Sequence, residues 1–107
     1  MMRSPTLSVR FNLGWVVLIR RLVIEEERED HIARHNVSID DVFDIVFGVH
    51  LSERTRDERI RLTGQTRGGR YLTLFVASRG AGVFGLVTAR DATDREHARF
   101  RAVKGSA

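Results

Sequence analysis

The stretch from residue 58 to residue 103 constrains the fold most. Glu58 to Gln65 alternates, with Ile60, Leu62 and Gly64 on one side and Arg59, Arg61 and Thr63 on the other; a period of two is that of a half-buried strand. Thr66-Arg67-Gly68-Gly69 is a turn signal. Arg70 to Ser78 is mostly apolar at both parities, as in a strand covered on two faces. Arg79-Gly80-Ala81-Gly82 is a second turn, and Val83 to Arg90 a third strand. Turns this short can join only antiparallel neighbours, so a meander is expected. Directly after it, Thr93 and Glu96 form a capping box that opens a helix reaching about residue 103. Arg90, Arg95 and Arg99 thus gather in one strand–turn–helix unit. Such a cluster holds a phosphate or is neutralised by an acidic partner.

Upstream, Trp15 to Ile24 has strand composition, and Glu25 to His35 runs without Gly or Pro. Glu25, Glu26 and Glu27 at the start of this second segment suit the positive end of a helix, and Asn36 suits the left-handed residue that ends one. Ser38 reads as the next N-cap, with Asp41 three positions on. Ile39, Val42, Phe43, Val46 and Phe47 then mark a helical stripe facing a core. Gly48 stops that helix, and Val49 to Asp57 reads as a charged connection, with His50 in a loop. The expected order is β-α-α-β-β-β-α, an α+β domain with helices packed on an antiparallel meander. Residues 20–107 read as one domain, and residues 1–19 as an arm or extra strand.

Composition narrows the classes of function. The chain of 107 residues has no cysteine, which excludes disulfides and thiolate chemistry. The apolar run Leu13 to Ile19 ends at Arg20-Arg21, far short of the roughly 20 residues a membrane helix needs. A cytoplasmic protein without membrane contact is expected. The net charge of +4 is unevenly spread: +4 over residues 1–24, −7 over 25–58 and +7 over 59–107. A domain charged in this way can offer one face to a polyanion. His31 and His35 stand at i, i+4, but Ile32 follows His31, so the Glu of a zinc-binding His-Glu-x-x-His motif is missing. The glycine turns lack a phosphate-loop pattern, and Tyr71 and the phenylalanines show no run of interleaved basic and aromatic residues. No metal and no cofactor are expected.

Four segments carry a family resemblance. They are His35-Asn36-Val37-Ser38 between the helices, Glu58-Arg59 leading a strand to Gly64, Gly69-Arg70 opening the next strand, and Thr88-Ala89-Arg90-Asp91-Ala92-Thr93 with Arg95-Glu96 before the last helix. In this order, over roughly residues 20–103, the chain resembles the BrnT family, the toxin halves of bacterial type II toxin–antitoxin pairs. The resemblance implies a RelE-like fold and metal-independent endoribonuclease activity. It also implies a ribbon-helix-helix antitoxin, encoded by an adjacent gene, that neutralises the toxin. Glu27 stands where the family usually has a lysine. Asn36 stands where glycine is usual, and Asn tolerates that backbone geometry.

Metal-free RNA cleavage requires a deprotonated 2′-hydroxyl, a stabilised phosphorane and a protonated leaving oxygen. Arg59, Arg61, Arg70 and Arg90 lie on or beside strands that can hold guanidiniums in place. Arg59 and Arg61 share a face at a spacing of roughly 7 Å. His35, at a helix end, and Glu96 are the acid–base candidates. For Glu96, capping the helix and bridging to Arg90 are competing roles. Arg95, Arg99 and Arg101 extend the surface toward RNA or antitoxin. The alternative is a non-catalytic module of the same fold that docks an acidic partner or a second copy of the chain, and Glu27 favours it. The nuclease reading requires guanidiniums from separate segments to converge on one surface.

Overall fold

The computed structural model describes residues 7–8 and 18–106. Most of the expected N-terminal arm therefore lies outside the described residues. Within that arm, β1 (Leu7–Ser8) pairs antiparallel with β2 (Leu18–Ile19). The chain continues through β3 (Arg21–Val23), α1 (Glu26–Ala33), α2 (Ile39–Val46), β4 (His50–Arg54), β5 (Arg59–Gln65), β6 (Tyr71–Ser78), β7 (Val83–Asp91) and α3 (Asp94–Ser106). The domain is α+β, with a five-stranded sheet in the order β3-β7-β6-β5-β4. No described helix is long and apolar enough to cross a membrane.

Two features of the sheet differ from the sequence reading. The segment read as a charged connection contains β4, an edge strand. Only Leu51 in it is a hydrophobic residue, so no apolar alternation marked it. The sheet is also mixed, because β3 runs parallel to β7 with Leu22 opposite Phe84. The single strand read over Trp15 to Ile24 breaks at Arg20. There the amides of Arg20 and Arg21 both donate to the Gly82 carbonyl, at 2.9 and 3.3 Å. Gly82 has φ +79°, and a Cβ on it would come within 2.7 Å of the Arg20 side chain, so this junction needs glycine.

The helices are set by their termini. Asn36 has φ 58°, with its amide on the Ala33 carbonyl at 3.0 Å and that of Val37 on the Ile32 carbonyl at 3.1 Å. This is a Schellman ending, which satisfies carbonyls that α1 would otherwise leave bare. Ser38 and Asp41 form a reciprocal capping box at 3.0 and 3.1 Å. The stripe of α2 faces the core: Val42, Phe43 and Val46 are buried, and Ile39 and Phe47 pack at its margin. Ile45, outside that stripe, is buried as well.

Alternation splits the sheet into two faces. Ile60, Leu62, Leu72, Leu74, Val76, Leu86 and Ala89 join Ile32 and the α2 side chains in one buried cluster. Beyond the short β3, α1 lies along β7, with Arg28 donating to the Val87 carbonyl at 3.3 Å and His31 Nε2 3.1 Å from Thr88 Oγ1. A helix over an unpaired stretch of edge blocks pairing with another chain. On the opposite face three rows cross β5, β6 and β7. They are Thr63–Thr73–Arg90, Arg61–Phe75–Thr88 and Arg59–Ala77–Gly85. A bulge at Val87 lies between the second and third rows. α3 packs against β5 and β4; the Thr63–Thr73 row is buried, whereas Arg59, Arg61, Phe75 and Ala77 remain partly exposed.

His50 is wholly buried at the start of β4. Its Nδ1 lies 2.8 Å from the Ile45 carbonyl, and its Nε2 has no partner among the described residues. Burial pulls its pKa below the usual histidine value, against the opposing effect of backbone hydrogen bonds to Ile45 and Gly48. The folded protein therefore takes up fewer protons than the unfolded chain once pH falls below about 6.5. The contribution of this histidine should be full above that pH and be lost progressively as pH falls below it. In His50→Leu this slope should vanish, as urea denaturation at several pH values would show.

Candidate functional site

The site is built around a buried carboxylate at the start of α3. The Thr93 hydroxyl accepts from the Glu96 amide at 3.1 Å, and Glu96 Oε1 accepts from the Thr93 amide at 2.9 Å, completing the capping box read from the sequence. The same carboxylate then reaches the sheet. Arg90 clasps it through both Nη atoms, at 2.8 and 3.1 Å, and Thr73 donates to it at 2.8 Å. Since the Thr73 hydroxyl proton is committed to Glu96, Thr63, 3.1 Å away, must be the donor in the Thr63–Thr73 pair. Arg61 Nη1 stands 3.8 Å from Glu96 Oε2.

Glu96 is 4% exposed. Burial alone raises a carboxyl pKa, but here it is outweighed. Hydrogen bonds from Arg90, the Thr93 amide and Thr73, with the charge of Arg90, lower it from 4.5 to about 2. The bond to Glu96 in turn raises the Arg90 pKa. Glu96 is thus a fixed anion at neutral pH, with little tendency to take a proton from a substrate. Of the two roles the sequence allowed, capping with the Arg90 bridge is the one the geometry displays.

A second carboxylate extends the network. Glu53 faces Arg61 across β4 and β5 and accepts from its Nε and Nη2 at 3.3 and 3.0 Å. Arg99 Nη2 reaches the same Glu53 oxygen from α3 at 3.0 Å. Arg61, Arg90 and Arg99 therefore converge, three guanidiniums around two carboxylates. The excess is positive, and the side chains of Arg61, Arg99 and Arg90 retain 27%, 34% and 35% of their exposure. Arg59 lies one row away, 3.4 Å from Asp57.

Other predicted residues go elsewhere. Arg70 has the parity of the opposite sheet face. It donates to Asp91 at 2.8 Å, to the His35 carbonyl at 2.7 Å and to the Asn36 carbonyl. It ties the end of α1 to β7, and its donors are used. His35 is exposed in the turn after α1, its ring edge-on to His31 at 5.6 Å; no hydrogen bond or ion pair among the described residues joins it to Glu96 or Arg90. Arg95 and Arg101 are exposed on α3, with no ion pair among the described residues. His97 stacks on Tyr71 at 3.6 Å.

Glu53, Thr73 and Phe75 complete the site and were not legible as site residues. Glu53 was hidden by the missed strand; once β4 is recognised, its pairing opposite Arg61 is the expected cross-strand charge pair. Phe75 is partly exposed beside Arg61, with the Arg90 guanidinium carbon 5.3 Å from its ring centre. Basic and aromatic side chains are thus interleaved across strands, where a reading along each strand finds none.

In comparisons with protein-family models, curated proteins and solved structures, the chain matches none.

The lowered Glu96 pKa makes a stability prediction. A group whose folded pKa is depressed stabilises the fold above its unfolded value, and that contribution is lost as pH falls through the folded one. A displacement from 4.5 to about 2 corresponds to on the order of 3 kcal/mol. Glu96→Gln should be destabilised by about that much at pH 7. The gap from the parent protein should close between pH 4.5 and 2, measured by denaturant unfolding. A gap constant with pH would contradict the assignment.

Proposed function

We propose that the protein is a metal-independent endoribonuclease toxin of the BrnT type, with a RelE-like fold, held in check by a ribbon-helix-helix antitoxin. The observation that carries this reading is the meeting of Arg61, Arg90 and Arg99 around Glu96 and Glu53, with Arg59 on the same face. The meander β5-β6-β7 followed by α3, read from the sequence, is present, with β4 as an additional strand after α2, and the resemblance supplies the toxin and antitoxin roles.

In this reading the substrate phosphate competes with Glu53 for Arg61 and Arg99. The 2′-oxygen attacks phosphorus, the bond to the 5′-oxygen breaks, and the charge of the phosphorane rests on guanidiniums already fixed in place. Glu96 orients Arg90 and Arg61 and stays ionised throughout. Rate then comes from charge stabilisation, with solvent water taking the 2′-hydroxyl proton and supplying one to the departing 5′-oxygen. Arg70 holds α1 to the sheet and takes no part in the chemistry. Arg95 and Arg101 are available to RNA or to the antitoxin.

A second reading rests on the same carboxylates. Each converging guanidinium already has an internal partner, and α1 exposes Glu26, Glu27, Glu29 and Asp30. A module that only docks an acidic protein partner, or the acidic α1 of a second copy, would have these features.

Purified protein in excess chelator should cleave single-stranded RNA, and its expression without the antitoxin should arrest growth. Arg61→Ala should reduce cleavage about 100-fold or more while remaining folded, because Arg90, Thr73 and the Thr93 amide still satisfy Glu96. Arg70→Ala should lower the melting temperature and spare cleavage below it. Intact RNA and normal growth with folded parent protein would reject the nuclease and leave the docking module.

A further inference from the structure

The sheet face left open by α3 has a contour that the charge network does not account for. In the outermost row, Arg59 faces Ala77 across β5 and β6, and Ala77 faces Gly85 across β6 and β7. These are the two smallest side chains on that face. The Arg79 side chain lies flat over Gly85, so close that a Cβ there would come within 2.5 Å of its Nε, and its guanidinium is anchored to Glu25 at 2.8 Å. The next row rises to Phe75, which stands between Arg61 and Thr88. The result is a step from the small Ala77 up to Phe75, on a sheet face that also carries Arg59, Arg61, Arg79 and Arg90.

Phe75 is an unusual residue to find there. The other face of its strand carries Leu72, Leu74 and Val76 into the core. Phe75 instead remains partly exposed, packs on no other aromatic ring among the described residues, and has Arg90 as its cationic neighbour. A flat apolar surface next to Arg90, on a face shared with Arg61 and Arg59, suits a ligand that is itself flat and apolar at one end and anionic at the other. An unpaired nucleotide has that composition, with a π-face of any base identity and a phosphate on each side. A duplex does not, because its bases are already stacked and paired.

We propose that Phe75 is the stacking platform for one unpaired base of single-stranded RNA, with Arg59 and Arg61 holding the phosphates that flank it. The roughly 7 Å between alternate residues of a strand matches the reach from one phosphate to the next. The choice of RNA rests on the nuclease reading; the stacking itself does not depend on cleavage.

The test uses the full chain in chelator at low salt, with a fluorescently labelled RNA carrying a 2′-O-methyl group at every position, which cannot be cut. Binding is measured for the single strand and for the same strand annealed to its complement. Phe75→Leu keeps the apolar volume and removes the ring, and Phe75→Trp keeps a ring. The parent should prefer the single strand. Phe75→Leu should lose roughly 5- to 100-fold in single-strand affinity, with duplex affinity unchanged. Phe75→Trp should bind at least as well as the parent and show fluorescence quenching on binding beyond that of the parent, which has Trp15. Equal binding by the parent and Phe75→Leu would overturn the proposal, as would equal affinity for single strand and duplex. A parallel assay with unmodified RNA separates the two readings. Cleavage with no effect of Phe75→Leu leaves the nuclease without the platform. A Phe75→Leu binding defect without cleavage leaves the platform without the nuclease.

Discussion

A carboxylate removed from water must find donors to replace it, and those donors then have fixed positions. Glu96 finds them on the turn before its own helix, on β6, on β7 and, at longer range, on β5. One side chain thereby sets where α3 begins, how it docks on the sheet and which way Arg90 and Arg61 point. Buried ion pairs contribute little net stability against a hydrophobic alternative, but removing one partner is costly. The arrangement is therefore better understood as fixing geometry than as adding strength. Guanidiniums locked in this way need no reorganisation when an anion arrives, which is the condition under which charged side chains stabilise a transition state most.

α3 divides the outer sheet face. Its docking buries Thr63, Thr73 and Leu51 and leaves the Arg61–Phe75 and Arg59–Ala77 rows uncovered among the described residues. The first half supplies rigidity, and the second presents charge and one aromatic ring. Glu53 lies at the junction, on an edge strand, where Arg61 from the sheet and Arg99 from the helix meet on the same oxygen. This carboxylate is less enclosed than Glu96, and under the proposed function it is the one that a substrate phosphate displaces.

Local chemistry was legible in the sequence wherever neighbours along the chain decide it. The two capping boxes, the left-handed Asn36, the core-facing side of α2 and the three-stranded meander all follow from spacings of a few residues. The Arg90–Glu96 bridge was also within reach, because a short turn brings the two together; strand alternation alone sets Arg90 on the face of Phe84 and Leu86, and the bulge at Val87 turns it to the other. What escaped depends on pairing at long range. β4 carries one hydrophobic residue because its buried positions include His50 and Ser52, so no apolar alternation announced it. Arg70 and Arg90 look alike as strand arginines, yet the bulge at Val87 sends them to opposite faces, one to the carbonyls after α1 and the other to Glu96. Glu53 and Phe75 acquire their place only through the register of β5 with its two neighbours.

The central claim is that Glu96 is an enclosed, permanently ionised hub. The most direct test is to follow its side-chain carboxyl carbon by NMR from pH 7 down to 2, in protein with labelled glutamate, using Glu96→Gln to assign the resonance. The account predicts that this signal stays at its ionised position through pH 3, with half-titration near 2. A Glu96 signal titrating near 4.5 would contradict it.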